Sequence, residues 1–256
     1  MKVIDTFMFY NELDVLELRL MVLDKYVDMF VLVESEVTHK GCRKELLFEK
    51  NKSRFEKWIP KIKHIIVTED ESPKEKDPWS REKYQRSCIL RGLLDVSDDS
   101  IVMISDVDEI PDLSKISYSP QTRVVHMWMF EYSMEYMFTG EPWFGTVITD
   151  CKSIKSSGSN FFRDNRWKFP VLTYSGWHLT SFGNGEKVAL KVNTFAHAND
   201  PHELSWVPET FERLIREGLH TDGKTRLLPR PSDVPLPAPM DVLIRLNLCQ
   251  ESRSIV

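Results

Sequence analysis

The sequence lacks a long hydrophobic run. Among its 256 residues there is no stretch of about 18 uncharged apolar residues, the length that a membrane-spanning helix needs. The N-terminal segment MKVIDTFMFYNELD reaches an acid at Asp5, so it contains no uninterrupted apolar segment of the kind found in secretory signals. We therefore expect no membrane span, no signal peptide and a cytoplasmic location.

Cysteine is scarce, and an excess of positive charge is missing. The four cysteines, Cys42, Cys88, Cys151 and Cys249, include no Cys-x-x-Cys pair, which argues against a structural zinc site. Without a secretory signal we expect all four to be reduced thiols. The net charge is -5, whereas nucleic-acid binding needs a basic face, so we expect no nucleic-acid partner.

The first half of the sequence alternates apolar strands with amphipathic helices. The predicted strands are KVIDTFMF (2–9), DMFVLVES (28–35), KHIIVT (63–68) and IVMIS (101–105). Predicted helices separate them, at the leucine-rich segment 13–23, at KSRFEKWI (52–59) and at WSREKYQRSCILRGLL (79–94). Because strands that are buried on both faces are uniformly apolar, the pattern predicts a mostly parallel α/β sheet with helices on both faces.

The second half of the sequence is less regular. Its predicted strands lie in 123–138, 146–149 and 170–175, and its predicted helices are 185–198 and 208–219. No convincing linker divides the chain, so we expect one domain over 1–256. We divide it into a first half over 1–113, a second half over 114–227, and a Pro-rich tail with a short helix over 228–256.

An acidic cluster follows the fourth predicted strand, in the segment IVMISDVDEIPDL (101–113). In an extended segment Asp106 and Asp108 point to the same side, and two nearby carboxylates repel each other unless a cation lies between them. Oxygen ligands favour Mg²⁺ or Mn²⁺, and ligands of parallel sheets bind beyond the carboxyl ends of the strands. The structural alternative is that these acids meet only solvent or a helix N-terminus.

Five segments of the chain resemble glycosyltransferase family 17. They are DTFMFYNELDVLELRL (5–20), VDMFVLVES (27–35), DPWSREKYQR (77–86), ISDVDEIPDL (104–113) and GWHLTSFGNGEKVALK (176–191). The resemblance implies a GT-A-like nucleotide-sugar-binding sandwich with Mn²⁺ or Mg²⁺ at the Asp-x-Asp motif. It also implies that a UDP-sugar donor gives up its sugar, expected to be N-acetylglucosamine, to a glycan hydroxyl with inversion at the anomeric carbon.

The same analogy assigns the metal ligands. Asp108 is expected to bind the metal directly, and Asp106 is expected to reach the metal through water or to contact the donor ribose. Many enzymes of this fold complete the metal site with a downstream His. His178 and His197 are the two candidates, and we assign His178 to the active site and His197 to the metal.

An inverting transfer needs a general base that deprotonates the acceptor hydroxyl. The candidates are Glu186, Glu131, Glu141 and Asp164. We choose Glu186, because it lies in a matched segment at the start of a predicted helix. The alternative is that Glu186 only complements the helix dipole.

Donor-binding residues are expected near the ends of the first two strands. Thr6, Asn11 and Glu34 lie there, and helix capping for Asn11 and a solvated rim position for Glu34 are the alternatives. Arg86 precedes the metal strand, and its planar guanidinium suits a diphosphate. Either Trp143 or Tyr132 is a candidate aromatic platform for the acceptor, against simple core packing.

Two other functions use the same acids. One is a metal-dependent phosphohydrolase or nucleotidyltransferase, and the other is a non-catalytic nucleotide-sugar-binding protein. Phosphatases of the haloacid dehalogenase type place the Asp-x-Asp motif after the first strand, usually with a Thr two residues beyond. Here the motif follows the fourth predicted strand, and Ile110 occupies that position.

Overall fold

The computed structural model describes residues 1–75, 77–195 and 204–249. The first half alternates strands and helices, as the apolar pattern predicted. Its elements are β1 (Val3–Phe9), α1 (Leu13–Leu23), β2 (Met29–Ser35), α2 (Leu47–Lys50), a 3-10 helix (Lys52–Lys61), β3 (Ile62–Val67), α3 (Pro78–Ser87), α4 (Ile89–Gly92), β4 (Ile101–Asp106) and β5 (Glu109–Pro111).

The second half adds shorter strands and further helices. Its elements are β6 (Arg123–Glu131), β7 (Tyr136–Met137), β8 (Trp143–Asp150), α5 (Cys151–Ser157), α6 (Ser159–Asp164), a second 3-10 helix (Arg166–Lys168), β9 (Val171–Leu172), β10 (Gly176–Thr180), α7 (Gly185–Thr194), α8 (Pro208–Glu217), β11 (Leu228–Pro229) and α9 (Met240–Arg245).

Strands from both halves form one sheet, in the order β11-β7-β6-β8-β4-β1-β2-β3. The strands β3, β2, β1 and β4 are parallel to one another, and β8 is antiparallel to both β4 and β6. The short strand β10 lies parallel to β6 and antiparallel to β5. The predicted α/β fold, with a mostly parallel sheet in the first half of the chain, is therefore confirmed.

The parallel strands are buried on both faces. In β4, Ile101 and Met103 belong to one hydrophobic cluster, while Val102 and Ile104 belong to the cluster on the other side of the sheet. Helix α1 covers the first face, and α4 covers the second. This double burial explains why the sequence of β4 shows no alternation between apolar and polar residues.

Three predicted elements differ in detail. The helix predicted over 79–94 is interrupted at Cys88 and becomes α3 and α4. Gly92 of α4 lies so close to β2 that a Cβ atom there would be 2.3 Å from Val31 Cγ1. The segment 52–59 forms a 3-10 helix that continues through Pro60, and the strand predicted at 170–175 is reduced to β9.

The Pro-rich tail lies against the domain. Its β11 pairs with β7, and Trp177 Nε1 donates a 2.7 Å hydrogen bond to the carbonyl of Pro235. All four cysteines are free. Over residues 1–75, 77–195 and 204–249, no helix has both the length and the apolar character needed to cross a membrane.

Candidate active site

A cavity of about 320 Å³ opens beyond the carboxyl ends of β1, β2 and β4. Segments that follow these strands form its floor, and α3, α6 and α7 contribute side chains to its walls. Asp106 and Asp108 both line this cavity. The edge of the sheet where the sequence predicted a ligand site is therefore concave and carries both acids.

Asp106 is paired with two arginines. Its Oδ2 accepts a 2.5 Å hydrogen bond from Arg163 Nη2, and its Oδ1 lies 3.4 Å from Arg86 Nη2. Burial alone would raise the pKa of Asp106, but the charges of Arg163 and Arg86 outweigh it and hold that pKa well below its usual range. Asp106 is therefore ionised at neutral pH, with protein cations on both oxygens.

Asp108 is paired with a lysine from a distant helix. Its Oδ2 accepts a 2.8 Å hydrogen bond from Lys191 Nζ, and its Oδ1 lies 3.8 Å from His178 Nε2, beyond hydrogen-bonding distance. Burial would raise the pKa of Asp108, but the positive charge of Lys191 lowers it overall. The two aspartates thus point to separate cations of the protein.

Glu109 is fully buried and organises the acidic loop. Its carboxylate accepts hydrogen bonds of 2.7 and 2.8 Å from Arg163, and a bond of 2.9 Å from Trp143 Nε1. The backbone N–H of Asp106 donates a further bond of 3.0 Å to the same carboxylate. With these partners Glu109 holds the loop in place, so it is a structural acid of the site.

Arg19 supports the acidic loop from below. Its guanidinium forms a buried ion pair with Asp5, with hydrogen bonds of 2.6 and 2.8 Å. The same guanidinium donates to the carbonyls of Val107 and Glu109, at 3.3 and 2.6 Å. The sequence carried a signal for this residue, because Arg19 lies among the apolar positions of α1 and Asp5 lies inside an apolar strand.

His178 lies within β10, rather than after a strand as the sequence suggested. Its ring stacks on Trp143 at 4.4 Å between centroids, with 15° between the planes. Burial lowers the pKa of His178 and outweighs the opposing charge of Asp108, so the ring is neutral at pH 7. Neutral imidazole is the form that binds metal ions.

Among the residues that the structure describes, Asp108 and His178 bring a carboxylate and an imidazole close enough to hold a divalent cation together. Asp108 Oδ1 and His178 Nε2 lie 3.8 Å apart, so one ion between them would meet a carboxylate oxygen and an imidazole nitrogen. No group of three His, Cys, Asp or Glu side chains within the described ranges could hold a metal ion. The other predicted ligand, His197, lies outside the described residues.

The sequence profile of glycosyltransferase family 17 matches residues 1–219. The chain belongs to this family. The order β3-β2-β1-β4, with the Asp-x-Asp motif directly after β4, is the GT-A-like arrangement that the resemblance implied.

Solved structures resemble this family 17 chain distantly. 2-C-methyl-D-erythritol 4-phosphate cytidylyltransferase from Francisella tularensis is 8% identical, with a TM-score of 0.40 over 69% of this chain and 91% of that one. Glucosyl-3-phosphoglycerate synthase from Mycobacterium tuberculosis, in complex with Mn²⁺, UDP and phosphoglyceric acid, is 12% identical, with a TM-score of 0.38 over 79% and 80%. Galactosyltransferase LgtC, with donor and acceptor sugar analogues, is 11% identical, with a TM-score of 0.35 over 78% and 81%. TM-scores of this size indicate no more than a distant similarity in fold. A comparison with curated proteins found no match.

Three of the predicted donor-binding residues do not line the cavity of this family 17 protein. Thr6 is fully buried, and its hydroxyl donates a 2.6 Å hydrogen bond to the carbonyl of Met103. Glu34 is also fully buried, and its carboxylate accepts from Phe48 N and contacts His64 Nε2, both at 3.1 Å. Because these groups bond within the protein, we no longer expect them to contact the donor.

Asn11, the third of these residues, lines a smaller neighbouring cavity of about 220 Å³ beside the N-terminus of α1. The helix N-cap is Glu12, and no side chain caps the helix there, so the capping alternative for Asn11 is not observed. Arg86, the fourth predicted donor residue, does line the main cavity.

The four candidate bases lie in different environments. Glu186 is exposed in the first turn of α7, and Glu141 is exposed in a loop, both outside the cavity lining. Glu131 is buried at the end of β6, where burial raises its pKa to about 8, and it also lies outside the lining. Of the four, Asp164 alone lines the cavity, at the exposed end of α6.

Sequence reasoning missed several cations of the cavity, and Arg163, Arg166 and Lys191 are among them. Lys191 is the last residue of a segment that matched the family, which was a usable signal. Arg163 and Arg166 follow α5 in chain order and carry no local motif. Arg166 lies 5.2 Å from the ring centroid of Trp143 and 5.0 Å from that of Trp167.

Proposed function

We propose that the protein is an inverting, metal-dependent glycosyltransferase that moves N-acetylglucosamine from a UDP-linked donor to a hydroxyl of a glycan. Membership of family 17 supports sugar transfer. The single observation that carries the proposal is the cavity, which places Asp106 and Asp108 opposite Arg86, Arg163 and Arg166. Such a mixed set of acids and guanidinium groups suits a metal-bound diphosphate.

Arg166 is the cation most ready to receive an anion. Its Nε atom is buried and has no hydrogen-bond partner among the residues described. Burial and the neighbouring charge of Arg163 both lower the pKa of Arg166. A bound diphosphate would relieve both effects, because it would pair with the guanidinium and offset the repulsion between the two arginines.

The proposed cation is Mn²⁺ or Mg²⁺. Asp108 and His178 would hold it directly, and Asp106 would contact it through water or contact the donor ribose. When bound, the ion neutralises charge on the diphosphate leaving group. Asp106 keeps Arg163 and Arg86 in position, and Trp143 fixes the plane of the His178 ring.

We propose Asp164 as the general base in place of Glu186, because Asp164 lines the cavity and remains exposed to an incoming hydroxyl. The acceptor oxygen attacks the anomeric carbon on the face opposite the diphosphate. The hydroxyl proton passes to Asp164, and the bond between the anomeric carbon and the phosphate oxygen breaks, with its electron pair leaving on UDP. One direct displacement inverts the anomeric configuration.

The two walls of the cavity come from different halves of the chain, and we propose that each half binds a different substrate. Met8, His39 and Asp106 belong to the half over 1–113, which we propose binds the nucleotide. Asp164 and Arg166 belong to the half over 114–227, which we propose binds the acceptor.

The test is to incubate the protein with a panel of nucleotide sugars and Mn²⁺ and to measure release of UDP. We expect slow hydrolysis of a UDP-sugar in the absence of acceptor, and faster release with a suitable glycan. Release of inorganic phosphate from simple esters would instead identify a phosphohydrolase. Donor binding without turnover would identify a non-catalytic binding protein.

A further inference from the structure

A row of five aromatic rings crosses the surface beside the cavity. In spatial order it consists of Trp167, Phe144, His126, Tyr174 and Trp128, which we call the aromatic row. Consecutive ring centroids lie 5.2, 5.4, 4.2 and 3.9 Å apart. The rings come from four separate segments of the chain, so only the folded structure brings them together.

The row is open to solvent. Trp167 is 59% exposed and Tyr174 is 42% exposed, and the other three rings are partly exposed. Single exposed apolar residues need no explanation, but a continuous apolar strip on a surface usually marks a binding site.

The backbone of Tyr174 is strained. This residue has a φ of 46°, in the left-handed region that residues other than glycine rarely adopt. The conformation brings its ring onto Trp128, with 18° between the planes. The following N–H, of Ser175, donates a 3.0 Å hydrogen bond to the carbonyl of His126 and fixes this arrangement. Strain that is retained to present an exposed ring is typical of functional positions.

The row begins where the cavity ends. Arg166 and Trp143 both line the cavity, and the Arg166 guanidinium packs on the rings of both Trp143 and Trp167. Asp164, the proposed base, lies two residues before Arg166 on the same edge. A molecule lying along the row would therefore lead directly to the base and to the proposed position of the donor sugar.

We propose that the aromatic row binds the acceptor, and that the acceptor is an oligosaccharide of several sugar rings. A pyranose has an apolar C–H face that stacks on the open face of an exposed ring such as Trp167 or Tyr174, while its hydroxyl edges reach groups such as Arg166 and His126. A row one ring wide fits a linear chain of sugars. A protein partner would need a broader contact, about 800 Å² on each side for a standard interface.

The proposal rests on the proposed glycosyl transfer and extends it to the acceptor. Binding is measured by titration calorimetry with chitotetraose, mannotetraose and cellotetraose, and with their monosaccharides, in the presence of UDP and Mn²⁺. We expect at least one tetrasaccharide to bind about tenfold or more tightly than its monosaccharide. Trp167→Ala and Tyr174→Ala should each weaken that binding by about tenfold, because each removes a stacked ring.

The matched control is Phe161→Ala. Phe161 is 48% exposed on α6, and its recorded ring contact is with Phe162 rather than with the row. We expect it to bind the tetrasaccharide within about twofold of wild type. If Tyr174→Ala does not fold, Tyr174→Asn, whose side chain tolerates a positive φ, takes its place.

Three results would overturn the proposal. In the first, no tetrasaccharide binds more tightly than its monosaccharide. In the second, the Trp167→Ala and Tyr174→Ala variants bind the tetrasaccharide as tightly as the wild type. In the third, light scattering shows a wild-type dimer that Trp167→Ala converts to a monomer. Measuring UDP release without acceptor tests the proposed glycosyl transfer independently of acceptor binding by the aromatic row. If the row binds a tetrasaccharide but no nucleotide sugar is turned over, oligosaccharide binding by the row is supported and the proposed transferase activity is contradicted.

Discussion

The guanidinium of Arg163 binds the carboxylate of Glu109 through two hydrogen bonds, of 2.7 and 2.8 Å. Both groups are buried, and they are 54 residues apart in the chain. This pair connects α6 to the acidic loop, and through the bond from Arg163 to Asp106 it also fixes the first acid of the motif.

Glu109→Ala should therefore destabilise the fold. It leaves Arg163 partly unpaired in a buried position and removes the acceptor of the Asp106 N–H, and loss of one partner of a buried ion pair costs about 3–5 kcal/mol. Urea unfolding would measure the change. Glu141→Ala is the control, an exposed loop acid that we expect to change stability by less than about 0.5 kcal/mol. A loss below about 1 kcal/mol for Glu109→Ala would contradict the structural role given to this residue.

In the Asp108→Asn variant, Mn²⁺ should no longer strengthen the binding of UDP. In the wild type we expect Mn²⁺ to strengthen UDP binding, because Asp108 would hold the ion and the ion would neutralise charge on the diphosphate, and chelation with EDTA should abolish transfer. The variant should lose the strengthening while it stays folded, although its melting temperature should fall because Lys191 loses its 2.8 Å bond to a charged Asp108. Glu12→Gln is the matched control, since Glu12 contacts the same Lys191 at 3.5 Å. Mn²⁺-dependent UDP binding that survives in Asp108→Asn would remove Asp108 as a ligand.

Asp164→Asn should lower transfer while UDP binding is preserved. Loss of a general base typically costs about 10²–10⁴-fold in rate. The acidic limb of the pH–rate profile should disappear with the same substitution, because that limb reports protonation of the base. Glu186→Gln is the comparison, and near-normal turnover is expected because Glu186 lies outside the cavity. The opposite pattern in the two variants would restore Glu186 as the base.

Glu131 should make the protein less stable as the pH rises from 5 to 8. Its folded pKa is raised to about 8 by burial, whereas an unfolded Glu titrates at about 4.3. Between these values the folded state holds a proton that the unfolded chain has released, so the free energy of unfolding falls with pH.

Glu131→Gln should therefore be less sensitive to pH than the wild type over that range. Urea unfolding at pH 5 and pH 8 would measure the difference, which we expect to exceed about 1.4 kcal/mol, the value of one pKa unit. His126→Gln, on the same strand but partly exposed, is a control that should not remove the wild-type slope. Equal slopes for wild type and Glu131→Gln would contradict a protonated Glu131.

The parallel half of the sheet was predictable because its signals are local. Uniformly apolar segments bounded by polar loops gave β1 to β4, and the Asp-x-Asp motif was visible directly after β4. The partners of these acids were not predictable from spacing. Arg163 is 57 residues from Asp106, and Lys191 is 83 residues from Asp108, and no local periodicity relates them.

Positions at strand ends could be predicted, but side-chain directions could not. Thr6 and Glu34 belong to the strands that lead to the cavity, yet both are buried and bonded within the protein. Glu186 was predicted to be the general base, but its carboxylate lies outside the cavity for a related reason. The start of α7 was predicted correctly, but the packing of α6 beside the acidic loop, which brings Asp164 to the cavity, depends on long-range contacts.

Arg19 has a consequence for how such an enzyme changes its specificity. Its buried guanidinium connects the backbone of the Asp-x-Asp loop to β1 and α1 through hydrogen bonds. The conformation of that loop is therefore fixed by contacts in the interior of the domain. The rings of the aromatic row sit on a different part of the sheet and share no hydrogen bond with this anchor. New acceptors can thus be accommodated by exchanging surface rings, without rebuilding the machinery that handles the nucleotide.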